Sequence, residues 1–379
     1  MSAILPGGRI GFLGGGQLAQ MLALEARRMG YATVVVTDEE DAPGVDAADR
    51  VFSLASLASP AGLDAFADAC DVVTLETEHI PLPLLRAVAS RMLLRPGAEV
   101  LAVVADRLSQ RQFLERNGLP QTAFAPVSES ADFATAAERT GFPAVLKTRQ
   151  GGYDGRGQVR VARASDLPAA WESLGRLPCV LEAFVRFSRE ISVVAARSPG
   201  GELRYYPLAE NEHRHHVLHR TLAPAPLPAG GLEGAQAIAA KIATAFDYVG
   251  VFAVELFVGE NDVLLVNEIA PRVHNSGHFT WGGCRTSQFE QHLRAICGLP
   301  LGDPSLHRPA VMLNLLGDLW QDGAPAWERV LAVEGVNLHL YGKKHARPGR
   351  KMGHLVLTGA DVAGALATSE HVSALLGQR

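Results

Sequence analysis

Residues Lys147–Gln158 read "KTRQGGYDGRGQ": a lysine near the end of an apolar strand, a loop carrying Gly151, Gly152, Gly155 and Gly157, then a second strand, "QVRVAR". Glycines let backbone N–H groups approach phosphate oxygens closely, and Lys147 adds a point charge. The loop has no G-K-[ST] sequence and lies between strands rather than ahead of a helix, so it is not a P-loop. A plain hairpin needs about one or two glycines. Four of them, interleaved with Tyr153, Asp154 and Arg156, favour a phosphate-binding loop instead.

Working outward from this loop, the chain changes rhythm. Up to about residue 100, short apolar runs alternate with amphipathic helices: "RIGFL", the helix "QLAQMLALEARRMG" ending at Gly30, "ATVVV", "RVFSL", the helix "GLDAFADAC", and "DVVTLE". That alternation predicts parallel β-α-β units. Its first turn, "IGFLGGGQLAQML", has the spacing Gly14-x-Gly16-x-x-Ala19, and Asp38 closes the next strand. Alone, this matches the dinucleotide fingerprint and predicts a dehydrogenase. "DRLSQRQFLERNGLP" then supplies a helix with Asp106 as N-cap, ended by Gly118 and Pro120.

Beyond that helix strands dominate: "FPAVLKTR", "QVRVAR", "CVLEAFV", "EISVVAARS" and "LRYYPLAE". One clear helix, "EGAQAIAAKIATAFDY", leads into "GVFAVELFV" and "DVLLVNEIA", joined by the hairpin turn "GEND". The segment from "PAVMLNLLG" onward reads as a small α+β tail, and "TLAPAPLPAGG" at 221–231 is the nearest approach to a linker. The expected organisation is α/β and α+β, with units at 1–105, 106–300 and 301–379.

Composition limits the function classes. The 379 residues exceed what one core of about 250–300 residues accommodates. With 40 acidic and 35 basic residues the formal charge is -5, so no global basic field recruits nucleic acid. No apolar run nears the roughly 20 residues that span a bilayer. The start, "MSAILPGGRIGFLGG", lacks a basic head with a long apolar run, so no signal peptide and a cytoplasmic location are expected. Cys70, Cys179, Cys284 and Cys297 are scattered without a C-x-x-C pair, which predicts free thiols.

Glu255 lies inside "FAVELFV" and Glu268 near the end of "VLLVNEIAP", beside Asn267. A hairpin makes the two strands antiparallel neighbours, so the carboxylates would face each other in an apolar setting. A cation between them relieves repulsion and desolvation, and oxygen ligands favour magnesium over zinc. Either glutamate alone would more simply pair with an Arg or Lys. "APRVHNSGHFT" follows at once, bringing Arg272, His274, Asn275, Ser276 and His278 into a polar turn. Arginine suits forked recognition of a planar oxyanion. "CVLEAFVRFSREIS" has the form of a nucleoside clamp, with Glu182, the backbone of Ala183, Phe184 and Val185, and Glu190 for ribose hydroxyls; strand-flanking glutamates are, however, usually solvated. In "NEHRHHVLHR", His213, His215, His216 and His219 invite a zinc reading. No Cys or Asp accompanies them at ligand spacing, and neighbouring imidazoles on a strand point opposite ways, so hydrogen bonding is expected. "YGKKHARPGRKMGH" concentrates Lys343, Lys344, His345, Arg347, Arg350 and Lys351 in an otherwise acidic chain, which suits an anionic substrate.

Taken in order, "GFLGGGQLAQM", "KTRQGGYDGRGQ", "LEAFVRFSREIS", "NEIAPRVHNSGHFT" and "RPGRKMGH" resemble the ATP-grasp superfamily, and within it the 5-(carboxyamino)imidazole ribonucleotide synthases, nearly end to end. The resemblance implies a Rossmann-like N-terminal domain that binds no dinucleotide, a central ATP-grasp domain with a glycine-rich lid and a small C-terminal domain. It also implies a reaction: ATP, bicarbonate and 5-aminoimidazole ribonucleotide give the N-carboxylated ribonucleotide, ADP and phosphate by way of carboxyphosphate, in purine biosynthesis. ATP would be surrounded by Arg107, Lys147, Gly152, Tyr153, Asp154, Gly155, Arg156, Gly157, Gln158, Glu182 to Val185, Glu190, His213, Asn267 and Glu268. Glu255 and Glu268 would hold magnesium, with manganese as an alternative. Tyr153, Arg272, His274, Asn275 and Lys343 would line the bicarbonate pocket. The Gly16–Gln17 loop, Glu76, Asp154, Arg156, Lys343 and Arg350 would meet the ribonucleotide, Asp154 orienting its amine. A homodimer is expected by the same resemblance. Where such proteins usually read "GQLG", this chain has Gln17-Leu18-Ala19, and alanine is small enough for the same packing.

Three other readings stay open on sequence grounds: another ATP-grasp ligase, a dehydrogenase and a nucleotide-binding regulator. The first should lack "PRVHNSGH" together with "RPGRKMGH". The second leaves the Glu255/Glu268 pair and the second glycine loop unexplained.

Overall fold

The structure is a computed structural model that describes residues 2–152, 155–227 and 230–377. Tyr153 and Asp154, both expected at the site, lie outside the described residues.

The N-terminal strands β1 (Arg9–Leu13), β2 (Ala32–Val36), β3 (Arg50–Phe52) and β4 (Val72–Leu75) form a parallel sheet in the order β3-β2-β1-β4. The helix Gln17–Arg28 leaves β1 through the glycine turn and stops before Gly30, whose φ is +85°. The β-α-β alternation is therefore as the pattern predicts. Short helices at Leu82–Ala89 and Ala98–Val104 have no counterpart in that reading.

A second sheet joins β5 (Phe124–Val127), β6 (Ala144–Thr148), β7 (Gln158–Val161) and β8 (Cys179–Ala183) in the order β5-β8-β6-β7. Helices Phe133–Thr140 and Leu167–Ser173, shorter than a sequence period can reveal, cover it.

The third sheet contains β9 (Phe187–Arg197), β10 (Leu203–Tyr205), β11 (Ala209–Arg214), β12 (Val217–Ala223), β13 (Gly250–Gly259), β14 (Leu264–Ala270), β15 (Ala310–Leu316), β16 (Val336–Leu340) and β17 (Lys351–Thr358). Its order is β14-β13-β9-β11-β12-β15-β17-β16, with β10 on β9. Two expectations change here. "LRYYPLAE" is split between β10 and β11. The linker-like 221–231 begins inside β12. The strands of the C-terminal part continue this sheet, with β15 hydrogen-bonded to β12 from Arg220↔Leu313 to Ala223↔Ala310.

One apolar core, including Phe12, Leu22, Phe279, Phe289, Met312 and Val356, joins all three parts of the chain. Within it His292 accepts from Val251 N–H at Nδ1 (2.9 Å) and meets Thr74 Oγ1 at Nε2 (2.7 Å), tying β13 to β4. Burial keeps this imidazole far below its ordinary pKa, so it stays neutral. All four cysteines are buried and free. Among the described residues no helix is long and apolar enough to cross a membrane.

Candidate active site

The hairpin β13–β14 places Glu255 directly opposite Glu268, in register, with a bulge between Glu255 and Leu256. Apolar neighbours on β13 bury the Glu255 side chain by more than half. Burial first, then Glu268, pushes its carboxyl up to about 7. His274 comes nearest, with Nε2 3.6 Å from Oε1, while the charges of His213 and Lys351 pull the Glu255 carboxyl back down. Burial and then Arg272 hold the His274 imidazole well below its ordinary range, so it carries no compensating charge. Among the described residues no group of three or more His, Cys, Asp or Glu is placed to hold a metal alone. Two facing carboxylates fit magnesium all the same, because this ion is commonly bound by one or two carboxylates, with substrate phosphates and water completing its shell.

Lys147, next to the last residue of β6, lies opposite Gln158 of β7, so the glycine loop sits between strands as expected, and these are antiparallel. The loop rests on the β11–β12 turn: a Cβ at Gly155, whose φ is +80°, would lie 2.4 Å from His216 Cβ. His215 and His216 are themselves turn residues with φ of +50° and +67°, not strand residues, so the alternation argument applied to them does not hold.

Glu182 differs most from expectation. It lies inside β8 rather than after it and is only 3 % exposed. Its carboxylate takes Arg107 Nε at 2.6 Å, Arg111 Nε at 2.7 Å and Lys147 Nζ at 3.0 Å. Burial alone would raise its pKa, yet Arg107, Arg111 and Lys147 hold it well below the usual carboxylate range. Lys147 is drawn down to about 8 by burial and by Arg107, with Glu182 opposing. Asp106 fixes this cluster: Oδ1 caps the helix Arg107–Arg116 by accepting from Ser109 N–H, and Oδ2 accepts from Arg149 Nε. Arg107 also reaches Asn267 Oδ1 (3.5 Å), and Arg111 donates to the Asn267 carbonyl (3.0 Å), which brings β14 alongside. In the clamp stretch the Ala183 and Phe184 N–H groups are spent on the Ala123 and Pro143 carbonyls. Glu190 on β9 sits 2.5 Å from His213 Nδ1 on β11.

The turn after β14 is held by a buried glutamine that sequence reading missed. Gln288 accepts from His274 N–H and donates to the His274 carbonyl. Asn275 exchanges side-chain amide hydrogen bonds with Asn314 at 3.1 and 2.9 Å. His278, grouped with these donors in the sequence, is buried against Phe289 and His354, where its Nδ1 lies 3.0 Å from the amide nitrogen of the same Gln288. Arg272 pairs with Glu78 at 2.9 Å.

At the other end of this region the N- and C-terminal loops meet. Lys343 Nζ donates to Gln17 Oε1 (3.0 Å) and the Lys351 carbonyl (2.9 Å), and burial then Arg350 bring it down to about 8. Arg350 pairs with Asp41 at 2.8 Å, and Lys344 N–H donates to the same carboxylate. A cavity of about 520 Å³ opens there, lined by Glu40, Asp41, Lys344, His345, Arg347 and Arg350. Glu78 and Asp41 carried no signal in the sequence, since their partners lie hundreds of residues away.

The dinucleotide fingerprint is filled from within. A Cβ at Gly14 would lie 2.7 Å from Glu76 Oε1, and one at Gly16 2.8 Å from Oε2. The glycines thus admit a side-chain carboxylate at the start of the helix Gln17–Arg28, where a pyrophosphate would otherwise bind. Asp38, the supposed ribose ligand, instead accepts from Leu54 and Ala55 N–H.

The small β5–β8 sheet over a larger antiparallel sheet, with lysine, glycine loop and facing carboxylates between them, defines an ATP-grasp ligase. Matching family descriptions are "Ribonucleotide synthetase preATP-grasp domain" over residues 8–105, "ATP-grasp domain" over 112–289 and "Phosphoribosylaminoimidazole carboxylase C-terminal domain" over 310–368. The chain belongs to the N5-carboxyaminoimidazole ribonucleotide synthase family: it is 41 % identical to the member from Brucella melitensis over 356 residues, covering 93 % of this chain and 97 % of that one. It superposes on an ADP complex of an N5-carboxyaminoimidazole ribonucleotide synthetase with a TM-score of 0.92, 37 % identity and 99 % of each chain covered. An Aspergillus clavatus synthase in complex with ADP and 5-aminoimidazole ribonucleotide gives a TM-score of 0.88 at 32 % identity, covering 99 % of this chain and all (100 %) of that one.

Proposed function

We propose that the chain carboxylates 5-aminoimidazole ribonucleotide with bicarbonate at the expense of ATP, releasing ADP and phosphate, within purine biosynthesis. The observation that carries this reading is Glu255 in register with Glu268, one short turn ahead of Arg272. Phosphates from ATP meet Lys147 and the stretch Gly152 to Gln158, beside Arg107, His213 and Asn267, and Glu190 accepts from the ribose hydroxyls. Adenine meets the Val185 N–H and the Phe184 carbonyl, while Glu182 acts through Arg107 and Lys147 rather than on the nucleoside. Glu255 and Glu268 hold magnesium, or manganese, which when bound offsets charge on the transferred phosphoryl group.

Bicarbonate is a poor electrophile, so one of its oxygens first takes the γ-phosphoryl group and ADP leaves. Arg272 and Asn275 hold the bicarbonate oxygens in line, and His274, neutral and fixed through Ser276 and Gln288, borders them. The ribonucleotide amine then attacks the carboxyphosphate, or the carbon dioxide it releases. The C–N bond forms, phosphate departs and the amine loses a proton, with Asp154 in the role of orienting it and Tyr153 in that of a carboxyphosphate ligand. The glycine loop excludes water from the labile intermediate. The ribonucleotide lies along Gly16, Gln17 and Glu76, with Arg156, Lys343 and Arg350 toward its phosphate. We place the enzyme in the cytoplasm as a homodimer.

ADP release is measured with magnesium, ATP and bicarbonate, with and without the ribonucleotide. A large stimulation, lost in R272A, supports the reading. Turnover indifferent to the ribonucleotide removes that substrate.

A further inference from the structure

Arg272 has three nitrogens to satisfy, and the protein holds two of them. Nη1 donates to the Val273 carbonyl (3.1 Å) and Nη2 meets Glu78 Oε1 (2.9 Å). Nε is buried and, among the described residues, has no hydrogen-bond partner. Both the arginine and the glutamate side chains are about four-fifths withdrawn from solvent, at 20 % and 19 % exposure, so their pairing is little screened. Glu78 comes from the turn between β4 and the helix Leu82–Ala89, whereas Arg272 follows β14. The contact therefore spans the N-terminal and central sheets.

We propose that Glu78 is a positioning residue for the bicarbonate site: it fixes the Arg272 guanidinium so that the N–H donors left over on its terminal nitrogens are placed for the oxyanion. This rests on Arg272 being the bicarbonate ligand, as proposed above. A guanidinium tethered at both terminal nitrogens is held against rotation about its long stem, so its remaining donors are placed before the substrate arrives. A carboxylate that merely stood in for the substrate would take the fork formed by Nε and Nη2. Glu78 meets Nη2 and does not take Nε. The contact also links bicarbonate binding to the turn that follows Glu76, and so to the part of the chain that faces the ribonucleotide.

The test uses steady-state ADP release by the full-length wild-type, E78A and E78Q proteins, varying bicarbonate, ATP and ribonucleotide in turn, with melting temperatures alongside. E78A should raise the KM for bicarbonate about tenfold, while the other two KM values stay within about twofold. E78Q should recover most of the loss, because its amide oxygen still accepts from Nη2. An unchanged or lowered bicarbonate KM in E78A overturns the proposal. So does a parallel rise in all three KM values with a lowered melting temperature, which would make Glu78 merely structural. Wild-type protein without ribonucleotide-dependent turnover would instead remove the functional reading, and this role of Glu78 with it.

Discussion

Replacing Glu182 by alanine takes one carboxylate from three cations at once. At 3 % exposure, with contacts of 2.6, 2.7 and 3.0 Å, the carboxylate has no water to replace it. Removing one partner of a buried ion pair costs about 3–5 kcal/mol. Because Arg107, Arg111 and Lys147 all lose their partner, E182A belongs near the upper end, about 5 kcal/mol. Each kcal/mol corresponds to roughly 2–4 °C for a unit of 150–250 residues, so E182A should melt roughly 10–20 °C below wild type. E182Q keeps the volume and an acceptor and should lose less. Lys147 would also lose the one influence that raises its pKa, keep those of burial and Arg107, and bind ADP less tightly at neutral pH. Thermal unfolding followed by circular dichroism, with ADP titration calorimetry on the folded fraction, measures both effects. A melting temperature within about 2 °C of wild type would refute the reasoning, since a desolvated three-cation cluster without its anion cannot be that well tolerated.

Three further outcomes follow from the same geometry. Free Lys147 loses its proton near pH 8, so ADP affinity measured calorimetrically should fall as pH rises from about 7 to 9, and K147R should flatten that profile. Glu268 faces a like charge, so E268Q should raise the melting temperature of metal-free protein, by up to about 1 kcal/mol of stability, while abolishing turnover. Gly16 has an ordinary φ of -71°, so G16A adds only a methyl group 2.8 Å from Glu76 Oε2. Displacing that carboxylate should raise the ribonucleotide KM several-fold with ADP binding unchanged, and neither protein should quench or enhance nicotinamide fluorescence.

What could be read from the sequence was local. The Glu255/Glu268 pairing followed from two apolar strands joined by a short turn, where period and turn length fix register. The glycine loop was visible because its spacing belongs to one hairpin. Glu182, Glu78 and Asp41 were not, since each gains its meaning from partners far along the chain: Arg107 lies 75 residues from Glu182. The sequence marked Glu182 as a strand-flanking carboxylate, and only tertiary packing turned it into the centre of a cationic cluster. The dinucleotide fingerprint misled for a related reason. Its glycines answer to close approach by an anion, and sequence cannot say whether that anion is a ligand or Glu76.

The pairing of β15 with β12 has a consequence for how this chain is cut and recombined. Removing the C-terminal segment would not detach a module; it would bare the backbone of β12 from Arg220 to Ala223 and leave a sticky edge. Chimeras between family members should therefore exchange β12 together with β15–β17, or neither. Truncation products ending near residue 305 should self-associate, and the central and C-terminal parts should unfold in one transition, as a single cooperative block.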